Sequence, residues 1–370
     1  MKKRLDSIEA LRALACIVVF LYHSGIDVFG SGAVCLFFML SGFTLSYSQL
    51  QKAAFTLPGV ANSARSALRR VGKLYPLYII CMLPVAALEL WELRAAFSAE
   101  ALTALVKKFA VSVLLLQSWV PNADIAVAFN GVAWFLSTLL FLYFSFPYVF
   151  ALIRKLKTVR AAATAIIVLA LVQTALGFAA PPLEARLLGL GLIPNDGKFS
   201  YWFSYIFPLF RLFDFSIGCI LGWIFVSLSK RVRPVPAILP GLICLALLVL
   251  TRLLYARTEP LPSWEAFKYT QIFVPFSVFA IFTFAQAQGP LVSLLTNRFT
   301  LFISGISSDS FLLHQNIIRF SIMFLSMAAV PFGAIKIIVP PLCFALTVAA
   351  CLIWEWLEGK AKSVLGKNRC

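Results

Sequence analysis

Apolar windows of about twenty residues recur along the chain, separated by shorter stretches rich in Lys and Arg. A window of that length crosses a hydrocarbon core about 30 Å thick as a helix. The pattern predicts spans at 7–27, 32–49, 74–92, 130–153, 160–180, 205–228, 235–254, 269–288, 299–327 and 334–357. Segment 101–119 is apolar too, but a full crossing there would put one basic loop on the wrong side. It is therefore expected as a helix lying along the outer surface or only partly inserted. The Gly/Pro-rich, aromatic stretch 181–204 is expected as an outer loop capping an outward-facing pocket. The expected architecture is all-α: a polytopic integral membrane bundle of about ten transmembrane helices, a single domain over 1–370, with both termini cytoplasmic.

Composition sharpens this picture. The chain is 61% hydrophobic with mean hydropathy +0.92, whereas soluble domains are about 45–50% apolar. An ordinary soluble domain is excluded. The net charge of +17 invites a nucleic-acid partner, but the basic residues gather in MKKR, in 52–73, in RKLKTVR (154–160), in 229–233 and in the tail. Such short basic loops face the cytoplasm and meet anionic head groups. Seven of the eight cysteines lie inside apolar runs with no metal-type spacing, so they read as packing residues, and no metal site is expected. Glu9 and Arg12 interrupt the apolar start and no clear cleavage site follows, which predicts a retained first span rather than a signal peptide.

That first span, SIEALRALACIVVFLYHSGID, carries Arg12 and His23. Eleven residues at about 100° each return to within about 20° of one helix face while rising about 16 Å. Both groups thus point into one groove, Arg12 near the cytoplasmic rim and His23 in the outer half. Asp27 stands four residues beyond His23 on the same face, where a carboxylate would hold the imidazole tautomer. Ionisable groups within a membrane face a bundle interior or a wet cavity and mark function. A histidine satisfied by one carbonyl of a neighbouring helix is the plainer reading.

The residues also carry a family resemblance. LRALACIVVFLYHS resembles the first helix of the membrane acyltransferase-3 family, and GAVCLFFMLSGFTLSYS (32–48) its second. RRVGKLYPLY (69–78) resembles its cytoplasmic basic motif, VAWFLSTLLFLYFSFP (132–147) its Trp-x-Leu-Ser helix, RLFDFSIGCILG (211–222) its Arg-acidic-Phe segment, and ISGISSDSFLLHQNII (303–318) its late histidine segment. The matches keep the family's order from residue 5 to about 320, and the length is that of one such module. Three positions depart. Lys73 replaces the second Arg of the basic motif and loses bidentate geometry; no Glu follows Ser137; Ser308 and Phe311 replace two tyrosines.

The resemblance implies acyl transfer, of acetyl or another acyl group, from acyl-CoA to a hydroxyl of a cell-surface or exported carbohydrate. Acetyl-CoA would be a co-substrate, with no permanently bound cofactor. Arg12, Arg69, Arg70 and Lys73, with Arg65 nearby, are the candidate donor-binding residues, since guanidinium groups suit phosphates. His23 is the candidate general base, oriented by Asp27, and an acyl-histidine route is less economical. Ser41 and Ser137 are candidate oxyanion donors. Trp134, Arg211, Asp214 and His314 are candidate acceptor-pocket residues. Each has a structural alternative: helix packing for Ser41, an interfacial anchor for Trp134, an ion pair for Arg211 and Asp214, a structural hydrogen bond for His314. The expected partners are acyl-CoA, a surface polysaccharide or lipid-linked glycan, and membrane lipids, in a bacterial inner membrane. A secondary transporter would show paired half-sequences, and a polysaccharide polymerase large outer loops bearing Arg and His; the chain displays neither.

Overall fold

In a computed structural model, residues 5–367 are described except positions 27, 53, 229–234, 237, 259–260, 262–263 and 289. Helix α1 (Asp6–His23) is followed by α2 (Gly30–Leu50), the short α3 (Val60–Val71) and α4 (Tyr75–Leu93). Helices α5 (Ala99–Val113), α6 (Trp134–Ile153), α7 (Val159–Gly189) and α8 (Pro208–Leu228) come next. The last four long helices are α9 (Ile238–Thr258), α10 (Val274–Gln286), α11 (Arg298–Met327) and α12 (Phe332–Lys367). Strand pairing among the described residues is confined to a two-residue contact of Val235–Pro236 with Ala287–Gln288. The architecture is helical throughout.

Among the described residues, seven helices are long and apolar enough to cross a membrane: Gly30–Leu50, Tyr75–Ala96, Trp134–Ile153, Val159–Gly189, Phe199–Leu228, Gly241–Thr258 and Phe332–Lys360. Three expected spans fall outside that set for physical reasons. Helix α1 carries Asp6, Glu9 and Arg12 in its first two turns. Helix α11 mixes serines, Asp309, His314 and Arg319 into its length. Gln271–Gln286 is apolar but shorter.

Local chemistry accounts for the helix ends. Ser98, Thr158 and Asn297 accept hydrogen bonds from the amides of Ala101, Ala161 and Thr300, capping α5, α7 and α11. Two expectations need correction. The basic stretch 52–73, expected as a loop, holds α3, because Ser63, Ala67 and Val71 recur every four residues and bury one face against α6. The outer loop expected from 181 begins only after Gly189, because Pro181 and Pro182 each remove one helix hydrogen bond and the Leu-rich turns beyond them carry the helix on.

Helices α2 and α8 form the centre: 61% and 67% of their apolar windows are buried, against 11% for Gly241–Thr258 and 17% for Val159–Gly189. The two central backbones touch. A side chain on Gly42 would strike the carbonyl oxygen of Phe215, and one on Gly218 the carbonyl of Met39. Lipid offers no hydrophobic drive between helices, so backbone approach of this kind supplies the packing. Gly218→Val should therefore push α2 and α8 apart and cost about 1–3 kcal/mol or more. The check is the thermal midpoint of the detergent-solubilised protein, which should fall well below that of Gly333→Val, a position with open space around it.

Candidate active site

Helices α1 and α11 lie side by side and bring together the chain's two histidines. His314 Nδ1 lies 2.9 Å from the carbonyl oxygen of Ser310, and His23 Nδ1 lies 2.9 Å from that of Val19. A carbonyl only accepts, so each Nδ1 carries the proton and each neutral ring keeps a bare Nε2. His314 Nε2 stands 3.2 Å from His23 Nδ1, so it accepts a share of the His23 proton. The rings meet edge to face, with centroids 5.0 Å apart. His314 is buried behind His23, which lines a cavity. Among the described residues, His23 Nε2 has no hydrogen-bond partner and is the atom left to act as a base.

That cavity, about 520 Å³, is walled by aromatic and polar groups: Trp134, Tyr201, Tyr205, Tyr269, Gln315 and Arg319 among them. Gln315 Oε1 is buried and without a hydrogen-bond partner. Tyr201 and Tyr205 reach the wall through a π-helical turn, Trp202–Ile206, with ring centroids 5.3 Å apart. The extra residue is tolerated because Pro208 donates no amide and ends the turn. Glu184 on α7 holds the start of this segment, accepting from the amides of Phe199 and Ser200. The capping role expected of 181–204 falls to this turn.

A second cavity, about 770 Å³, opens toward the other end of α1. Arg12, Arg69, Arg70 and Lys73 line it together with Ser41, Ser66 and Tyr143. Arg12 is paired with Glu9 at 2.9 Å, and Glu9 also accepts from Ser304 on α11 at 2.6 Å. Arg70 lies over the Tyr143 ring at 5.7 Å. One residue, Phe311, lines both cavities. Its ring packs on Phe135 at 4.8 Å and on Phe37 at 6.2 Å. A single aromatic layer thus separates a basic chamber from a histidine chamber.

Other expected site residues sit elsewhere. Ser137 lines neither cavity; it is buried and donates to the Leu115 carbonyl at 2.5 Å, beside Ser118. Arg211 and Asp214 are fully buried and joined at 2.7 Å. Gln173 donates to the second Asp214 oxygen, and Arg211 donates to the Tyr205 carbonyl and covers the Tyr205 ring at 4.8 Å. The pair stands behind the cavity wall and braces it. Asp27 lies outside the described residues. Sequence reasoning passed over Gln315, Arg319, Tyr201 and Tyr205, and read Phe311 only as a departure from the family pattern. The four-residue spacing of Gln315 and Arg319 just beyond His314 was the available signal for the first two.

The class of this helical bundle follows from its likeness to known proteins: it is an acyltransferase. Residues 5–356 match the family described as an acyltransferase domain, Acyl_transf_3, and the chain belongs to that acyltransferase-3 family. It is also similar to Acyltransferase MdmB of Streptomyces mycarofaciens, 29% identical over 243 residues. The match covers 60% of this chain and 57% of that relative's length. No solved structure matches significantly.

The buried ion pair yields a prediction of its own. Asp214→Asn keeps the shape but leaves the Arg211 charge uncompensated, which costs about 3–5 kcal/mol. Gln173→Leu removes one hydrogen bond to the carboxylate and should cost about 1–3 kcal/mol. Thermal midpoints that rank Asp214→Asn with Gln173→Leu would show that the charge pair adds nothing beyond one hydrogen bond to the stability of the bundle.

Proposed function

We propose that this membrane acyltransferase moves an acetyl or related acyl group from acyl-CoA to a hydroxyl of a cell-surface or exported carbohydrate, in a bacterial inner membrane. A single membrane domain of ten spans, both termini cytoplasmic, puts the Arg12 end inside and the His23 end outside. The observation that carries the reading is the back-to-back arrangement of the basic chamber and the histidine chamber, one aromatic ring apart.

Coenzyme A enters from the cytoplasm as the co-substrate. Its phosphates are held by Arg69, Arg70 and Lys73, with Arg12 deeper on the same wall; charge-assisted bonds of this kind are the strong ones. The pantetheine arm runs along α1 toward Phe311. Rotation of that ring opens the layer and admits the thioester. On the outer side the acceptor sugar lies against Trp134, Tyr201 and Tyr205, and a hydroxyl bonds to Gln315 Oε1.

The acceptor hydroxyl gives its proton to His23 Nε2 as its oxygen attacks the thioester carbonyl. The C–S bond then breaks, and the departing thiolate takes the proton back from Nε2, leaving free coenzyme A and an ester. While His23 carries the extra proton, its Nδ1–H is shared by the Val19 carbonyl and His314 Nε2. His314 thus does by neutral hydrogen bonding what a carboxylate would do by charge, and Asp27 remains a second candidate for that support. Ser41, expected as an oxyanion donor, lines the basic chamber instead and stands on the path of the donor.

The test follows free thiol released from acetyl-CoA by the purified protein supplied with its host's surface glycan. His23→Ala should lower turnover at least about a hundredfold. His314→Gln should lower kcat about tenfold with KM for acetyl-CoA unchanged, since it removes only orientation and charge support. Arg69→Gln with Arg70→Gln should raise that KM instead. Release that survives His23→Ala sinks the assigned base.

A further inference from the structure

Beside the histidine chamber runs an apolar groove of about 710 Å³, walled by α1 and α2 and by α9 and α10. From Gly241 to Arg252 it follows about 16 Å of α9, past Leu245 and Leu248. Val28, Phe29 and Arg252 line both spaces, so they form the partition between them. Phe29 supplies its ring, and three neighbours hold that ring in place. It meets Tyr255 edge to face at 5.7 Å and Phe273 at 5.3 Å, with the Arg252 guanidinium over it at 5.5 Å. The backbone is pinned as well. Phe29 is the N-cap of α2, and its carbonyl accepts from the Ala33 amide. A Cβ on Gly32 would strike the Phe273 ring, and one on Gly30 the ring of Tyr22. Tyr22 in turn packs on His23, with ring centroids 5.3 Å apart. The partition is thus joined to the catalytic ring by an unbroken run of packed groups.

In the transfer proposed above, the thioester carbonyl carbon has three neighbours to place near His23 Nε2: the sulfur, the attacking oxygen and the acyl chain. The sulfur comes from the side of Phe311, and the oxygen from the side of Trp134, Tyr205 and Gln315. The stretch of wall left over is the start of α2, at Phe29, Gly30, Ser31 and Val34. The acyl chain points there. An acetyl group ends before the partition, whereas a longer chain runs into the Phe29 ring. We infer, resting on the acyl-transfer reading, that Phe29 limits the transferred acyl group to a short one by closing the histidine chamber against the apolar groove. Packed interiors resist even one added methylene, and a methylene in an apolar pocket is worth about 10–200-fold in discrimination. Removing the ring would join the two spaces and give a long chain an apolar path along α9.

The test compares kcat/KM for acetyl-CoA and octanoyl-CoA, a chain about six methylenes longer, on the purified protein supplied with its host's surface glycan. Thiol release gives the rate, and the mass of the glycan product shows which acyl group was transferred. The unaltered protein should prefer acetyl-CoA at least about a hundredfold. Phe29→Ala should shift that ratio toward octanoyl-CoA at least about tenfold. Adding Leu248→Trp, which fills the groove, should cancel the shift, while Leu248→Trp alone should leave acetyl-CoA turnover unchanged. If Phe29→Ala fails to fold, Phe29→Leu keeps an apolar group against Tyr255 and Phe273 and should move the ratio in the same direction. Equal use of both donors by the unaltered protein overturns the inference, as does a shift that survives Leu248→Trp. Acetyl transfer that depends on His23, with a ratio indifferent to Phe29, overturns it alone and leaves the acyl-transfer reading standing. Release from neither donor overturns both.

Discussion

The seam between α1 and α11 is the contact on which the arrangement depends. The two helices run in the same direction and touch at three levels. Glu9 accepts from Ser304, Cys16 lies against Ser307 and Ser310, and His23 meets His314. On α1 these positions recur every seven residues, the spacing at which one face of a helix follows a neighbour. Small side chains at Ser307 and Ser310 let the backbones approach. Because both histidines tie Nδ1 to the carbonyl one turn back in their own helix, neither ring is free to choose its tautomer. The polarity of the pair is set by backbone geometry, and the bare nitrogen is directed to the cavity.

A membrane enzyme with substrates on two sides faces a conflict. A continuous polar passage joins the reactants but also leaks ions and water. Here the conflict is met by dividing the passage. Phe37, Phe135 and Phe311 come from three different helices, α2, α6 and α11, and close it with one ring's thickness. The central α2–α8 contact at Gly42 and Gly218 holds α2 in place and with it the first of those rings. Such a layer gives way to a side-chain rotation, whereas a backbone plug would need helix movement. In the proposed reaction, keeping the basic and histidine chambers apart between turnovers also keeps the thioester away from outer water.

The helical plan was legible because span length and basic loops obey one-dimensional rules. Arg12 and His23 share a face of α1, since eleven residues close on three helical turns, but the expected single groove is two cavities, Arg12 lining one and His23 the other, because Phe311 from α11 stands between them. What escaped depends on contacts between distant parts. His23 and His314 are 291 positions apart, and no periodicity announces their meeting. Ser137 looked available because its helix reads as a site helix. Its hydroxyl is held by a carbonyl from the turn after α5, where Leu115 adopts φ of 55°. Tyr205 lies in a π turn that begins just after Tyr201 and shifts the facing of the residues beyond it.

The arginines make the same point about energy. Arg211, Arg12 and Arg252 all stand in apolar helices, and composition treats them alike. Arg211 is fully buried and joined to Asp214, so its charge is neutralised within the bundle and supports the tyrosine wall. Arg12 is half-buried, paired with Glu9, and still lines the basic chamber, so it can turn toward a phosphate without leaving a bare charge behind. Arg252 is exposed and lines the histidine chamber. Removing a charge from water costs several kcal/mol unless a partner compensates. The surroundings of the partner therefore decide what each arginine does: sealed in the bundle with Asp214, Arg211 is structural, whereas Arg12, paired at the edge of a cavity, stays within reach of a ligand.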